Sequence, residues 1–116
     1  LTATGHAAGG MLIETNAPFS AFSGLTAYGN TGTGISITGP IASFTHGLAY
    51  GNTVTGIRIA GAVGLVSDST AYDNGSIGIV VESPGAGARI EANRTYGNNV
   101  VLQAATTESY AGAVVG

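Results

Sequence analysis

The chain has 116 residues, of which 44% are hydrophobic and 8% are charged, and this length suits one domain with a modest core. The net charge of −3 argues against a nucleic-acid-binding protein, which would carry a basic patch. The chain has no cysteine for disulfides or thiolate metal sites. No apolar run approaches the roughly 18 residues of a membrane-spanning helix.

A four-residue motif recurs along the chain. Its first clear copy is Ala27-Tyr28-Gly29-Asn30. The later copies are Ala49-Tyr50-Gly51-Asn52, Ala71-Tyr72-Asp73-Asn74 and Thr95-Tyr96-Gly97-Asn98. Their tyrosines stand 22, 22 and 24 residues apart. A fixed period in this range indicates a repeat architecture, in which each copy belongs to an equivalent turn of the chain.

The period divides the chain into five coils, and the fifth is unfinished. The predicted coils are residues 1–24, 25–46, 47–68, 69–92 and 93–116. In the first coil Thr4 takes the tyrosine position and His6 takes the asparagine position. The chain begins at Leu1, without Met or a charged leader, so we expect a segment excised from a longer repeat protein.

Three short extended segments fit in each coil. The first follows the asparagine and alternates apolar with variable residues, as at Ile35 and Ile37, which predicts a strand with one buried face. The second places a large apolar residue six positions before the next tyrosine, and the third ends in the tyrosine itself. The predicted inward residues of these two segments are Phe22, Phe44, Val66 and Ile90, and Ala27, Ala49 and Ala71.

The turn after each Ile-x-Ile segment holds every proline, namely Pro18, Pro40 and Pro84. Proline cannot donate a hydrogen bond to a sheet, so its confinement to one turn is what strands elsewhere in the coil require. Helix is a poor alternative, because glycine and β-branched residues dominate every segment and no helical apolar spacing appears.

The pattern Tyr-Gly-Asn, a short turn and Gly-Ile-x-Ile resembles the right-handed parallel β-helix repeats of the pectate-lyase-like superfamily. The resemblance covers residues 1–102. It implies an all-β, right-handed parallel β-helix with 22–24 residues per coil, in a secreted or cell-surface bacterial protein. It leaves the activity open, because this fold carries lyases, hydrolases, epimerases, adhesins and passive stalks.

Two columns of identical residues are the first candidates for a role. Stacked asparagine amides hydrogen-bond from coil to coil, so we interpret that column as structural, as it is in the resembled family. We expect the tyrosines to form a partly buried structural column, whereas an outward column would offer an aromatic strip for sugar rings. The two columns are Asn30, Asn52, Asn74 and Asn98, and Tyr28, Tyr50, Tyr72 and Tyr96.

One polar pair is a candidate for acid–base chemistry. His46 and Asp68 each lie four residues before a tyrosine, so adjacent coils bring them side by side. Such a pair has the composition of a general base with an orienting carboxylate. The sequence offers only serines near it, so a surface ion pair or hydrogen bond is the simpler interpretation.

The carboxylates do not form the cluster that a polysaccharide-acting enzyme of this fold would need. Glu14 and Glu82 share one repeat position but stand three coils apart, which is roughly 14 Å at the strand spacing of a sheet. We therefore assign no catalytic, metal-binding or cofactor-binding residue, and we expect no cofactor.

The sequence predicts a structural scaffold: a stalk or filament-forming segment of an extracellular or cell-surface protein. No capping helix is evident, and open solenoid edges seek partners, so the expected partners are adjacent coils or subunits that stack end to end. In the tail, Val114 lies 24 residues after Ile90 and is expected to begin a further coil.

Two alternatives stay open. One is part of a polysaccharide-acting lyase, hydrolase or epimerase, with active residues partly outside this segment. The other is a carbohydrate-binding surface built from outward tyrosines or from the longer proline-bearing turns.

Overall fold

A computed structural model describes residues 2–16, 18–82, 88–98, 103–104 and 110–112. These residues form short strands and no helix, so none of them builds a helix long and apolar enough to cross a membrane. The strands are β1 (Thr2–Thr4), β2 (Met11–Glu14), β3 (Ala21–Ser23), β4 (Thr26–Tyr28), β5 (Ile35–Thr38), β6 (Ile41–Thr45), β7 (Leu48–Tyr50), β8 (Ile57–Ile59), β9 (Val63–Ser67), β10 (Thr70–Tyr72), β11 (Ile79–Val81), β12 (Arg89–Tyr96), β13 (Gln103–Ala104) and β14 (Tyr110–Gly112).

Equivalent strands of successive coils pair in parallel, so the sheets run along the molecule. One sheet has the order β13-β11-β8-β5-β2, and another begins β1-β4-β7-β10-β12 and returns through β9, β6 and β3. Strand β12 belongs to both series of the second sheet because its eight residues run through a corner of the coil. The protein is therefore a parallel β-solenoid of about four turns, which confirms the predicted fold class.

The strand register places like residue over like residue. Tyr28 is paired with Tyr50, and Tyr50 with Tyr72, at the predicted separation of 22 residues. The longer first coil pairs Thr4 with Tyr28. The period of the sequence is therefore the pairing distance of the sheets.

The predicted inward columns form the core. Ile35, Ile37 and Phe44 have no exposed surface, and Ala27 is equally buried opposite them. A Cβ atom added to Gly47 would overlap the ring of Phe44, so glycine at this position makes room for the largest core side chain. Small and large residues therefore fill the narrow interior together.

Thr95 interrupts the inward alanine column. It is paired with Ala71 and is fully buried, yet its Oγ1 has no hydrogen-bond partner among the described residues. An unpaired buried hydroxyl destabilises a fold, so Thr95→Val, which keeps the shape and removes the hydroxyl, is expected to raise the free energy of unfolding by about 1 kcal/mol. Urea unfolding measures this, and a loss of stability would contradict the interpretation.

Left-handed backbone forms two corners of each coil. The residue after the tyrosine has a positive φ in every described coil, which is why glycine stands there in Tyr-Gly-Asn. The other corner follows the Phe/Val/Ile strand. Its residues are Gly24 (φ 72°), His46 (φ 55°), Asp68 (φ 53°) and Ala92 (φ 57°).

The fifth coil departs from the predicted spacing. Strand β13 pairs Val80 with Gln103, so this turn is shorter by one residue than the period of 24 set by Tyr96. Strand β14 pairs with β12 through Ile90 and Tyr110, with an irregular register. The expected strand at residues 100–102, Val114 and Pro84 lie outside the described residues.

Candidate functional site

The asparagine column forms a continuous hydrogen-bonded ladder inside the solenoid. Nδ2 of Asn30 donates to Oδ1 of Asn52 at 2.9 Å, and Nδ2 of Asn52 donates to Oδ1 of Asn74 at 2.9 Å. Asn74 donates in the same way to Asn98 at 3.0 Å. We call these four residues the asparagine ladder, and its presence confirms the prediction. All its amides point the same way, so each bond polarises the next.

Asn52 shows how completely each amide is used. Beyond its two bonds along the ladder, Nδ2 donates to the carbonyl of Ala27 at 3.2 Å, and Oδ1 accepts from the backbone N–H of Asn30 at 3.2 Å. These four bonds are all that a carboxamide can make. The side chain is 2% exposed, so it holds the turn in place and offers nothing to a ligand.

The ladder ends differently at its two ends. At the first coil the backbone N–H of His6 donates to Oδ1 of Asn30 at 2.9 Å, while the His6 side chain is exposed. At the other end Nδ2 of Asn98 donates to the carbonyls of Ala71 at 3.0 Å and Tyr96 at 3.2 Å. His6 therefore heads the column through its backbone.

The glycine that opens each Ile-x-Ile strand packs against the ladder. A Cβ atom added to Gly34 would lie 2.6 Å from Nδ2 of Asn52, and one added to Gly56 would lie 2.6 Å from Nδ2 of Asn74. Glycine is therefore required here by the neighbouring asparagine, and the two motifs of the repeat depend on each other.

Gly56→Ala is expected to lower the free energy of unfolding by more than 2 kcal/mol, because the added methyl displaces Asn74 from the ladder. Gly24→Ala is the matched control. A Cβ there meets nothing within 4 Å, so only the cost of its positive φ, about 1 kcal/mol, is expected. Equal losses in urea unfolding would contradict the packing argument.

A second, shorter ladder lies at the other corner of the coil. The backbone N–H of Gly47 donates to Oγ of Ser69 at 3.0 Å, and that of Ser69 donates to Oδ1 of Asn93 at 3.1 Å. Nδ2 of Asn93 donates to the carbonyl of Val66 at 3.0 Å. Sequence reasoning missed this ladder because successive coils use different residue types; the corner position before a strand was the only available signal.

The tyrosine column lies on the outer face of the first sheet. Tyr28 and Ala27 alternate in β4, and the alanine is buried while the tyrosine is half-buried. Adjacent rings of Tyr28, Tyr50, Tyr72 and Tyr96 have centroids 4.9 Å apart and are parallel within 5°. The Arg94 guanidinium lies 4.9 Å from the Tyr96 ring centre, a cation–π distance. Such spacing leaves no room for a sugar between rings, so mainly their edges and hydroxyls face outward.

Partial burial raises the pKa of Tyr72 above the ordinary 10.0, and Tyr50, Tyr96 and Asp73 raise it further. The unfolded chain therefore loses this proton at a lower pH than the folded chain. The resulting stabilisation is complete below about pH 10 and is lost as the pH rises through the folded-state value. We expect Tyr72→Phe to lose less stability than the parent on going from about pH 9 to pH 11. Urea unfolding at both pH values checks this, and identical losses would contradict it.

His46 and Asp68 occupy the same left-handed corner in adjacent coils, and both are exposed. The Oδ2 atom of Asp68 accepts a hydrogen bond from Oγ of Ser67 at 3.0 Å. Within the described residues the ion pairs are Arg58–Glu82 and Arg89–Glu91, and none joins His46 to Asp68. The geometry assigns these two residues a conformational role in the corner rather than a base held by a carboxylate.

The remaining acidic residues stay dispersed. Glu14 is paired with Thr38, and Glu82 is bound to Arg58. In the part of the chain that the structure describes, no group of three or more histidine and carboxylate side chains is placed to hold a metal ion.

No protein-family model, curated protein or solved structure matches the chain. The chain is a parallel β-solenoid with a buried asparagine ladder, and this statement rests on its own contacts. Its relation to the pectate-lyase-like superfamily belongs with the proposals that follow.

Proposed function

We propose that the chain is a structural scaffold: a rigid rod segment of a secreted or cell-surface protein, of the right-handed pectate-lyase-like type. The buried side chains are spent on holding coils together, as the saturated amide of Asn52 illustrates. The small charged fraction of 8% also supports a molecule whose polar groups are mostly used in its own backbone pairing.

The first coil carries the observation on which this proposal depends. Ala3 and Met11 retain 7% and 9% exposure, whereas Ala27 and Ile35, directly over them in the next coil, have none. Strands β1, β2 and β3 each pair on one side only among the described residues. The inner face of this coil and three sheet edges are therefore available to a further coil.

We infer that this edge is covered in the native setting by another coil, either of a longer polypeptide or of a second copy stacked head to tail. Sheet edges with free N–H and C=O groups are templates for such pairing. A head-to-tail interface that does not close on itself produces an open filament. For the isolated chain, the proposal therefore predicts assembly along one axis.

Sedimentation velocity over a wide concentration range tests the assembly. We expect the mass to grow with concentration, and we expect Met11→Lys to abolish this growth because it places a charge on the surface that a second copy would cover. Leu12→Lys is the matched control, since Leu12 is 66% exposed on the outer side of the same strand. Circular dichroism verifies that both variants fold.

A parent chain that remains monomeric at every concentration would contradict head-to-tail stacking. Equal effects of the two lysine variants would show that the inner face of the first coil is not the interface. Release of unsaturated or reducing sugars from a panel of polysaccharides would overturn the scaffold proposal in favour of an enzyme.

A further inference from the structure

The fourth rung of the repeat contains a reactive dipeptide. Asn74 is followed by Gly75, and this is the one Asn-Gly pair in the sequence. Asparagine is a thermolabile residue. In an Asn-Gly pair the backbone nitrogen of glycine attacks Cγ of asparagine, and the missing Cβ of glycine lets the two atoms meet. The closed ring is a succinimide, and water then opens it to aspartate or isoaspartate.

The solenoid holds every participating group of this dipeptide in another bond. Oδ1 of Asn74 accepts from the backbone N–H and Nδ2 of Asn52 at 3.1 Å and 2.9 Å. The amide nitrogen that would leave donates to the carbonyl of Ala49 at 3.2 Å and to Oδ1 of Asn98 at 3.0 Å. The attacking nitrogen of Gly75 donates to the carbonyl of Asn52 at 2.9 Å.

Burial adds to this restraint. Asn74 is 4% exposed, so water has little access to the Cγ atom. The side chain would have to leave the ladder, and Gly75 would have to break its bond to the preceding coil, before the two could react. Such a joint release amounts to local unfolding of the coil.

We propose that Asn74 is a latent deamidation site, closed in the folded solenoid and opened only when its coil detaches, and that the modified coil cannot close again. In the reaction the bond from the Gly75 nitrogen to Cγ forms, the Cγ–Nδ2 bond breaks, and ammonia leaves with the proton from Gly75. Hydrolysis consumes one water, so the net change replaces an amide NH₂ by a hydroxyl.

The product does not fit the ladder. A carboxylate at position 74 has no proton for the Ala49 carbonyl or for Oδ1 of Asn98, and it leaves a charge buried among acceptors. Isoaspartate also lengthens the backbone by one carbon and shifts the coil against its neighbours. Each opening that reacts is therefore recorded permanently.

Trypsin allows a direct measurement. Cleavage after Arg58 and Arg89 releases residues 59–89, in which Asn74 is the one side-chain amide, so a mass gain of this peptide reports on Asn74 alone. The protein is incubated at mildly alkaline pH in native buffer and, in parallel, in urea. We expect modification in native buffer to be at least tenfold slower than in urea.

Two variants test the cause. Asn52→Ala removes the partner of Oδ1 and is expected to raise the native-buffer rate severalfold toward the urea rate. In urea, Gly75→Ala is expected to slow the reaction severalfold, because the added Cβ hinders ring closure. Equal rates in native buffer and urea, or no reaction in urea, would overturn the proposal.

Refolding tests the second half of the proposal. After incubation in urea, dilution should return unmodified chains to the folded state and leave the deamidated chains unfolded, as judged by size-exclusion chromatography followed by mass spectrometry. Deamidated chains that refold with an unchanged urea midpoint would overturn the claim that modification is irreversible for the coil.

Discussion

Replacing Asn52 by alanine is expected to lower the free energy of unfolding by about 4 kcal/mol, one of the two largest effects that the structure predicts. The change removes four hydrogen bonds at a position that is 2% exposed. It leaves the backbone N–H of Asn30 without its acceptor and deprives the Asn30 amide of one partner. An unsatisfied buried donor costs about 1–3 kcal/mol, and two donors are affected.

Asn16→Ala is the matched control for this substitution. Asn16 is exposed before the first proline-bearing turn, so its loss is expected to change stability by less than about 0.5 kcal/mol. Urea unfolding followed by circular dichroism measures both variants. A small effect of Asn52→Ala, comparable to that of Asn16→Ala, would show that the ladder contributes little to holding the coils together.

Replacing Phe44 by alanine is expected to cost a further large amount, about 4 kcal/mol. Phe44 has no exposed surface and is among the largest fully buried side chains of the chain. It is stacked between Phe22 and Val66 in the inward column, so its removal leaves a cavity that neighbouring coils cannot fill without losing register. Small domains have total stabilities of about 5–15 kcal/mol, so the variant is expected to be partly unfolded.

Phe19 supplies an unusually clean control, because it is 91% exposed in a turn. Phe19→Ala is expected to shift the free energy of unfolding by less than about 0.5 kcal/mol. Thermal unfolding of the two phenylalanine variants, at equal protein concentration, compares the same chemical change inside and outside the core. Similar midpoints would contradict the assigned interior.

The strand register could be predicted from the sequence because it is written in residue identity. Tyr28, Tyr50 and Tyr72 repeat at a constant distance, and only stacked parallel coils bring such residues together at every repeat. The asparagine ladder follows from the same spacing, since an amide that recurs at a turn can bond to its own copy above and below.

The direction of the tyrosine column could not be predicted, because Ala27 and Tyr28 are adjacent and both recur. Alternation in a strand puts one of them inside and one outside, but it does not say which. Packing decides the matter: the interior at this strand is narrow enough for alanine, and the ring is left outside, against the rings of neighbouring coils.

The corner residues show the opposite difficulty. Gly24, His46, Asp68 and Ala92 share a left-handed backbone but no side-chain chemistry, so nothing in the sequence marks them as equivalent. His46 and Asp68 attracted attention as an acid–base pair because their types are rare in this chain. Their backbone angles explain their position through the shape of the coil.

Methyl nuclear Overhauser spectroscopy on isoleucine-labelled protein tests the stacked register most directly. The account predicts cross-peaks from Ile57 to both Ile35 and Ile79, since these residues are paired in β5, β8 and β11. It predicts none between Ile35 and Ile79, which lie two coils apart, about 10 Å at the strand spacing. Absence of the 22-residue cross-peaks in a folded sample would contradict the parallel solenoid.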